Sequence, residues 1–348
     1  MNTGKPRIFP HCLISCLVFF VLLFASDAGA AQKRPAAKKP APKAGAAKPL
    51  DLTAVQTQVM LDRAGFSPGE IDGSMGTSTK RALDAFTKSG GKADQLPADA
   101  VIAYTITEQD AAGPFTEKIP EDMVEKSKLP ALGYASVIEA MGERFHASPA
   151  LLKRLNPNAK FVAGEQIQVP NVTVAAAPAA AAPVGTAGRG APNASPKPEA
   201  PSASPKPDAN APVTIVTVRK SSSDLTVTDA QGKVLMYAPV TTGSEHDPLP
   251  IGEWKVTGVQ KDPKFNYNPK LFWDAEPGHS KATIPAGPNN PVGIAWVDIS
   301  KPHYGLHGTP EPSTVGKTSS HGCVRLTNWD VAKLASLVRP GTKVVFTE

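Results

Sequence analysis

Cysteine is scarce in this chain: three in 348 residues, with Cys12 and Cys16 inside the first sixteen positions. No Cys-x-x-Cys pair, Gly-rich phosphate loop or basic stretch interleaved with aromatics occurs. Nothing therefore supports a nucleotide or nucleic-acid role, and no cofactor is expected. Aromatic residues are only 6% of the chain. Long apolar runs are also lacking. The run from Leu13 to Ala25 is too short to span a bilayer comfortably. It follows the positive Lys5 and Arg7 and precedes Ala28-Gly29-Ala30, a small-x-small cleavage pattern. Residues 1–30 thus read as a removed signal peptide, and the chain is expected to be exported to the periplasm or cell envelope. No membrane association beyond that segment is expected. The "LISC" ending at Cys16 stands ahead of most of the apolar run, the wrong side for a lipoprotein site.

Removal of Cys12 and Cys16 leaves Cys323 alone. A disulfide within the mature chain is then excluded, and an odd cysteine in an exported protein points to a reactive thiol or intermolecular pairing. Its Gly, Ser and His neighbours make a poor apolar niche, which favours a working thiol over a small buried hydrophobe.

Length suggests two or three domains, and composition marks the joints. Residues 31–50 are a Lys/Pro/Ala run and residues 173–212 an Ala/Pro-rich run; neither can bury a core, so both read as extended linkers. Much of the +6 formal charge lies in the first linker and the signal, where ordinary solubility accounts for it.

Between the linkers lie two small units. In residues 51–95, Leu52, Val55, Val59 and Met60 recur at helical spacing, and the helix should stop near Gly65. After the turn "FSPGEIDGSMG", Thr79, Ala82, Leu83 and Phe86 fall on one face of a second helix, with Thr77 or Ser78 as N-cap. The stretch "QVMLDRAGFSPGEIDGSMGTSTKRALDAF" resembles the peptidoglycan-binding module of paired helices carried by many cell-wall enzymes. In residues 101–172, one helix bears Val137, Met141 and Phe145, and a second bears Leu151, Leu152 and Leu155 before Asn156-Pro157 stops it. A strand from Gln166 to Val169 follows, and Ala103–Thr107 is the candidate opening strand. "LLKRLNPNAKFVAGEQIQVP" is similar to the later part of a LysM glycan-binding module. The module is divergent, because "GPFTEKIPEDM" intervenes between the opening strand and the helices. His146 reads as an ordinary half-buried side chain.

Residues 213–348 change texture. "VTIVTVRK", "DLTVTDAQGKVLMYAPVTTG" and "IGEWKVTGVQ" are β-branched runs with alternation of period two, broken at Gly243, Pro250 and Gly252. "NWDVAKLASLVRPG" predicts a helix with Asn328 as N-cap and Val331, Leu334 and Leu337 inward, and "TKVVFTE" a final strand. Within "GLHGTPEPSTVGKTSSHGCVRL", His307 stands 323 − 307 = 16 residues before Cys323, across a Pro/Gly/Ser loop able to fold back. A thiol needs a base within hydrogen-bond reach to ionise at neutral pH. By residue type alone, His307 and His321 compete for that role. Ser320-His321-Gly322-Cys323 offers consecutive backbone N–H groups around a glycine turn, able to face a developing oxyanion. Arg325 supplies a fixed charge suited to a substrate carboxylate. A zinc site of His303, His307, His321 and Cys323 matches none of the common short zinc spacings, so no metal is expected. The papain and caspase signatures are likewise missing.

"HGTPEPSTVGKTSSHGCVRLTN" closely resembles the active-site motif of the L,D-transpeptidases. "PLPIGEW" resembles the family's Thr-Pro-x-Gly segment, with Leu249 where threonine is usual, and "PAGPNNPVGIAWVDI" the strand leading into the site. The resemblance implies a multidomain α+β chain. Its mostly β, sandwich-like catalytic domain, with a short helix after the cysteine, would follow the two small helical modules. By carry-over Cys323 is the nucleophile and His307 its base. Ser320 would orient the histidine through its carbonyl, and His321, Gly322 and Cys323 would supply the oxyanion donors. Arg325 and the Gly308 that follows His307 would lie at the substrate groove. The implied partners are peptidoglycan stem peptides and glycan, with carbapenems as inhibitors. The implied reaction acylates the cysteine with a stem tetrapeptide, releases D-alanine and passes the acyl group to an amine of another stem. Water or a protein amine as acceptor, giving carboxypeptidase or protein-attachment activity, and a non-catalytic wall-binding scaffold stay open as alternatives.

Overall fold

A computed structural model describes residues 50–173 and 213–348. The expected signal peptide and, apart from Leu50 and Thr173, both expected linkers lie outside the described residues. No helix among the described residues is long and apolar enough to cross a membrane.

Helix α1 (Leu52–Arg63) starts at Asp51, whose carboxylate accepts the N–H of Ala54 at 3.1 Å. The backbone turns left-handed at Gly65, just beyond its end. Helix α2 (Thr77–Lys88) begins after Gly76, which has no side chain to cap with, rather than behind Thr77 or Ser78. The Ile71-Asp72-Gly73 turn between the helices is held by one buried amide. Gln58 donates to Asp72 Oδ1 at 2.9 Å and accepts from the N–H of Gly73 at 2.9 Å.

Strand β1 (Val101–Thr105) pairs antiparallel with β2 (Gln166–Pro170), enclosing four helices: α3 (Glu108–Ala111), α4 (Met123–Lys126), α5 (Val137–Arg144) and α6 (Pro149–Leu155). The opening strand thus runs two residues earlier than expected. The sequence-level boundary near residue 100 does not interrupt the apolar core. Val55, Val59 and Ile71 from the first unit pack with Ile106, Met141, Phe145, Leu151 and Ile167 from the second.

The C-terminal region is β-rich. Its strands are β3 (Thr214–Arg219), β4 (Asp224–Asp229), β5 (Val234–Pro239), β6 (Gly252–Lys261), β7 (Phe265–Tyr267), β8 (Ala282–Ile284), β9 (Ala295–Ile299), β10 (Gly305–His307), β11 (Val324–Arg325) and β12 (Lys343–Thr347). Eight of them hydrogen-bond in the order β11-β10-β9-β6-β12-β3-β4-β5, while β7 and β8 form a separate hairpin. The long β6 serves both halves of the sheet. Gly252–Lys255 pair with β12, and beyond an irregularity at Val256/Gly258 the strand pairs with β9. Such a bulge bends a strand and lets a sheet curl over its own core. Val216, Val218, Leu225 and Val227 from one half meet Val297, Ile299, Leu306 and Val324 from the other, with Val331 and Leu334 of α7 (Asn328–Leu337) added to the cluster.

The helical region closes on this domain. Phe66 bridges to Tyr237 on the edge strand β5: the N–H of Tyr237 reaches Gly65 O and the N–H of Ser67 reaches Tyr237 O, both at 2.9 Å. The two rings stack with centroids 6.2 Å apart. An otherwise open sheet edge is thereby covered. On α7, Asp330 accepts from Ser67 Oγ at 2.8 Å, and Trp329 stacks on His146 at 5.0 Å. His146 is half-buried, as expected, and its Nδ1 pairs with Asp62 at 2.8 Å.

Candidate active site

Strands β10 and β11 run parallel, with Leu306 opposite Val324 and His307 opposite Arg325. Leu306 and Val324 are fully buried in the core. Alternation along a strand therefore turns His307 and Arg325 to the other face. Cys323 immediately precedes β11, level with Gly305, where a Cβ would strike the Trp296 ring at 2.4 Å. The parallel register places His307 on β10 and Cys323 just ahead of the adjoining β11, sixteen positions apart along the chain.

The His307 ring is nearly enclosed, 4% exposed, and stacks on Trp296 with centroids 5.2 Å apart. Its Nδ1 lies 2.7 Å from the carbonyl oxygen of Gly308. A carbonyl only accepts, so Nδ1 carries the proton and Nε2 presents its lone pair. Burial, reinforced by the Arg325 charge and only partly opposed by the Gly308 bond, lowers the His307 pKa to about 4. The ring is neutral at neutral pH. Burial pushes the Cys323 thiol up, against the lowering influence of the Gly305 backbone and Arg325. Its hydrogen goes to the carbonyl of His303, 3.7 Å away. The resting pair is thus thiol and imidazole, both uncharged, with Arg325 acting on each of them.

The turn before the thiol is built by close contacts. Gly322 adopts φ +99°, and a Cβ there would meet the Tyr304 ring at 2.6 Å. Ser320 Oγ donates to the carbonyl of Cys323 at 2.6 Å, closing the turn from within. Among the described residues, the N–H groups of His321, Gly322 and Cys323 donate to no other protein group. Three backbone donors on one tight turn can receive an anionic oxygen.

Two expected roles fall differently. The carbonyl that holds His307 is that of Gly308, whereas Ser320's carbonyl accepts the N–H of Ser244 at 3.1 Å. Gly308 itself is buried, packed so closely that a Cβ would lie 2.2 Å from Asn328 Oδ1. It backs the imidazole rather than lining an open groove. His321 is committed elsewhere. Its Nε2 bonds Asp274 Oδ1 at 2.8 Å, and its ring meets Phe272 edge-on at 5.0 Å. Among the described residues, no three of His303, His307, His321 and Cys323 bring ligand atoms within 4.8 Å of one another.

The profile of the YkuD family, the L,D-transpeptidase catalytic domain, matches residues 213–346. The Bacillus subtilis (strain 168) protein named "Putative L,D-transpeptidase YqjB" is 32% identical over 139 residues, covering 38% of this chain and 70% of its own length. The chain belongs to the L,D-transpeptidase family. A second relative, "Putative L,D-transpeptidase YkuD" of the same strain, is 32% identical over 112 residues, which is 32% of this chain. The chain spans 53% of that relative's length. Among solved structures, an L,D-transpeptidase from Mycobacterium smegmatis aligns at 18% identity and a TM-score of 0.33, covering 39% of this chain and 59% of its own.

Within this L,D-transpeptidase domain, several supports of the site carry no sequence signal. Thr241 and Thr242 clamp the motif from β5's side. The N–H of Thr241 donates to Arg325 O at 3.0 Å and the N–H of Ser320 to Thr242 O at 2.9 Å. Trp296 under the ring and Asp274 on His321 were likewise outside the motif. Alternation in "IAWVDI" marks Trp296 as pointing away from the core, the one clue available.

Proposed function

We propose that this L,D-transpeptidase family member forms peptidoglycan cross-links through a thioester on Cys323. The observation that carries the proposal is the neutral His307 ring, fixed at Nδ1 by Gly308 on the strand beside the thiol. In the proposed first step Cys323 Sγ attacks the carbonyl between the third and fourth residues of a stem tetrapeptide. The thiol proton passes to His307 Nε2 as the S–C bond forms, because burial disfavours a free thiolate–imidazolium pair. The N–H groups of His321, Gly322 and Cys323 receive the oxyanion. The C–N bond then breaks, His307 protonates the departing D-alanine, and a thioester remains. An amine of a second stem attacks it and returns the thiol. Arg325 offers charge to a stem carboxylate, and Ser320 keeps the turn closed.

The N-terminal units, with their likeness to peptidoglycan-binding and LysM modules, would tether the enzyme to the wall and raise its effective concentration there. Export by the N-terminal signal to the periplasm or envelope is part of the same proposal.

Incubation with purified sacculi followed by a muropeptide digest tests it. Cross-linked stems are the expected product. Shortened stems alone would assign water as acceptor, stems attached to protein would assign a protein amine, and unchanged muropeptides would leave a binding scaffold. Intact-mass measurement after carbapenem treatment should show one covalent adduct that Cys323→Ala abolishes. An adduct persisting in that variant removes Cys323 from the mechanism.

A further inference from the structure

The loop joining β7 to β8, residues 268–281, is fastened at two places. One arm reaches His321 beside the thiol through Phe272, Trp273 and Asp274. The other returns to α4. His279 Nε2 lies 2.7 Å from Asp122 Oδ2 and 3.7 Å from Glu276 Oε2, and one ligand atom from each of the three residues falls within 4.8 Å of the others. Nothing in the proposed acyl transfer uses them.

We propose that Asp122, Glu276 and His279 bind a divalent transition-metal ion of the zinc class, stapling this loop to the segment that carries α4. Zinc accepts imidazole nitrogen and carboxylate oxygen at about 2.0–2.2 Å, which places neighbouring ligands of a tetrahedron roughly 3.3–3.6 Å apart. The separations of 2.7 and 3.7 Å bracket that edge, and the third, between the two carboxylates, lies within 4.8 Å. The donors are already oriented from behind. Tyr267 Oη lies 2.9 Å from His279 Nδ1. With the Nε2 lone pair on the metal, the ring proton sits on Nδ1 and is donated to that hydroxyl oxygen, the arrangement that fixes a metal-bound imidazole. Asp122 Oδ1 accepts the N–H of Glu125 at 2.7 Å as the N-cap of α4, which leaves Oδ2 for the ion. Glu276 is 80% exposed and the fourth position opens to water. Two carboxylates against one imidazole also leave a net negative charge that a divalent cation neutralises.

The experiment is calorimetric titration of zinc chloride into the Cys323→Ala chain, which removes the thiol as a competing ligand and makes the result independent of the proposed catalysis. One equivalent is expected to bind, and the affinity should fall at least tenfold in Glu276→Gln and in His279→Ala. Glu276→Gln alters only a surface atom and keeps the fold. Amide hydrogen exchange over residues 268–281 should slow with zinc in the parent and stay unchanged in Glu276→Gln. Absence of binding, or unchanged affinity in either variant, overturns the site.

Discussion

Gly322 and His307 show how single residues set the geometry of the candidate site. At Gly322 the left-handed backbone and the Tyr304 ring both exclude a side chain. Gly322→Ala is expected to lose roughly 1–3 kcal/mol of stability, measured by urea unfolding. It should also slow carbapenem acylation more than tenfold by displacing the turn's N–H groups. His307 has a folded pKa of about 4 against an ordinary 6.5. The reactive neutral pair therefore persists well below pH 6.5, and adduct formation should stay level from pH 8 to about 5 before falling near 4. A midpoint near 6.5 in stopped-time mass spectrometry would show a ring that solvates normally. The neighbourhood of Cys323, His307 and Arg325 was legible because all three lie within one dense motif, although residue type alone left His307 and His321 competing. The Gly308 carbonyl was not. Every residue has a carbonyl, and only folding decides which one faces the ring.

Helix α7 carries the next scale. Asn328 was the expected cap, but Thr327 holds that place: its Oγ1 accepts the N–H of Asp330 at 3.2 Å and donates to Asp330 Oδ2 at 2.7 Å. Asn328 turns inward, where its Oδ1 accepts from Ile294 at 3.2 Å and its amide donates to Pro288 O at 3.1 Å. Two capping residues in succession cannot be ranked from sequence, since tertiary partners decide which one turns in. Thr327→Ala should cost about 1–2 kcal/mol, visible as a lowered denaturant midpoint, and Thr327→Ser should recover most of it. Helices α1, α5 and α6 were read correctly from apolar spacing, a local property. The strand order was not readable, because pairing joins residues far apart along the chain. Asp274 reaches His321 across 47 positions with no intervening pattern.

Over the whole molecule, the seam between the helical region and the β domain collects buried acids. Glu70 is raised to about 7, Glu143 to about 8 and Asp330 to about 6, in each case chiefly by burial. Glu70 and Glu143 share a cavity of about 250 Å³ with Tyr134 and Trp329. A carboxyl whose folded pKa is raised binds its proton more tightly folded than unfolded. Its stabilisation is complete below about pH 4.5 and is lost as pH rises through the folded value. The seam should therefore weaken from about pH 5 to 8, with Glu143 alone contributing up to roughly 5 kcal/mol. His307 opposes this only between about pH 4 and 6.5, where its lowered pKa makes stability rise with pH. Thermal melts across that range should fall with pH, and Glu143→Gln should flatten the trend. Sequence composition carried no sign that Phe66 would cover β5, because one aromatic carries no address. Strand β12 lies mid-sheet between β6 and β3, with Val344 opposite Val216, 344 − 216 = 128 positions away. Closing so large a loop precedes any gain from that central ladder. Because β12 joins the half of the sheet that ends in β10 and β11 to the half made of β3, β4 and β5, a nascent chain completes the sheet only once residues near 345 have been made.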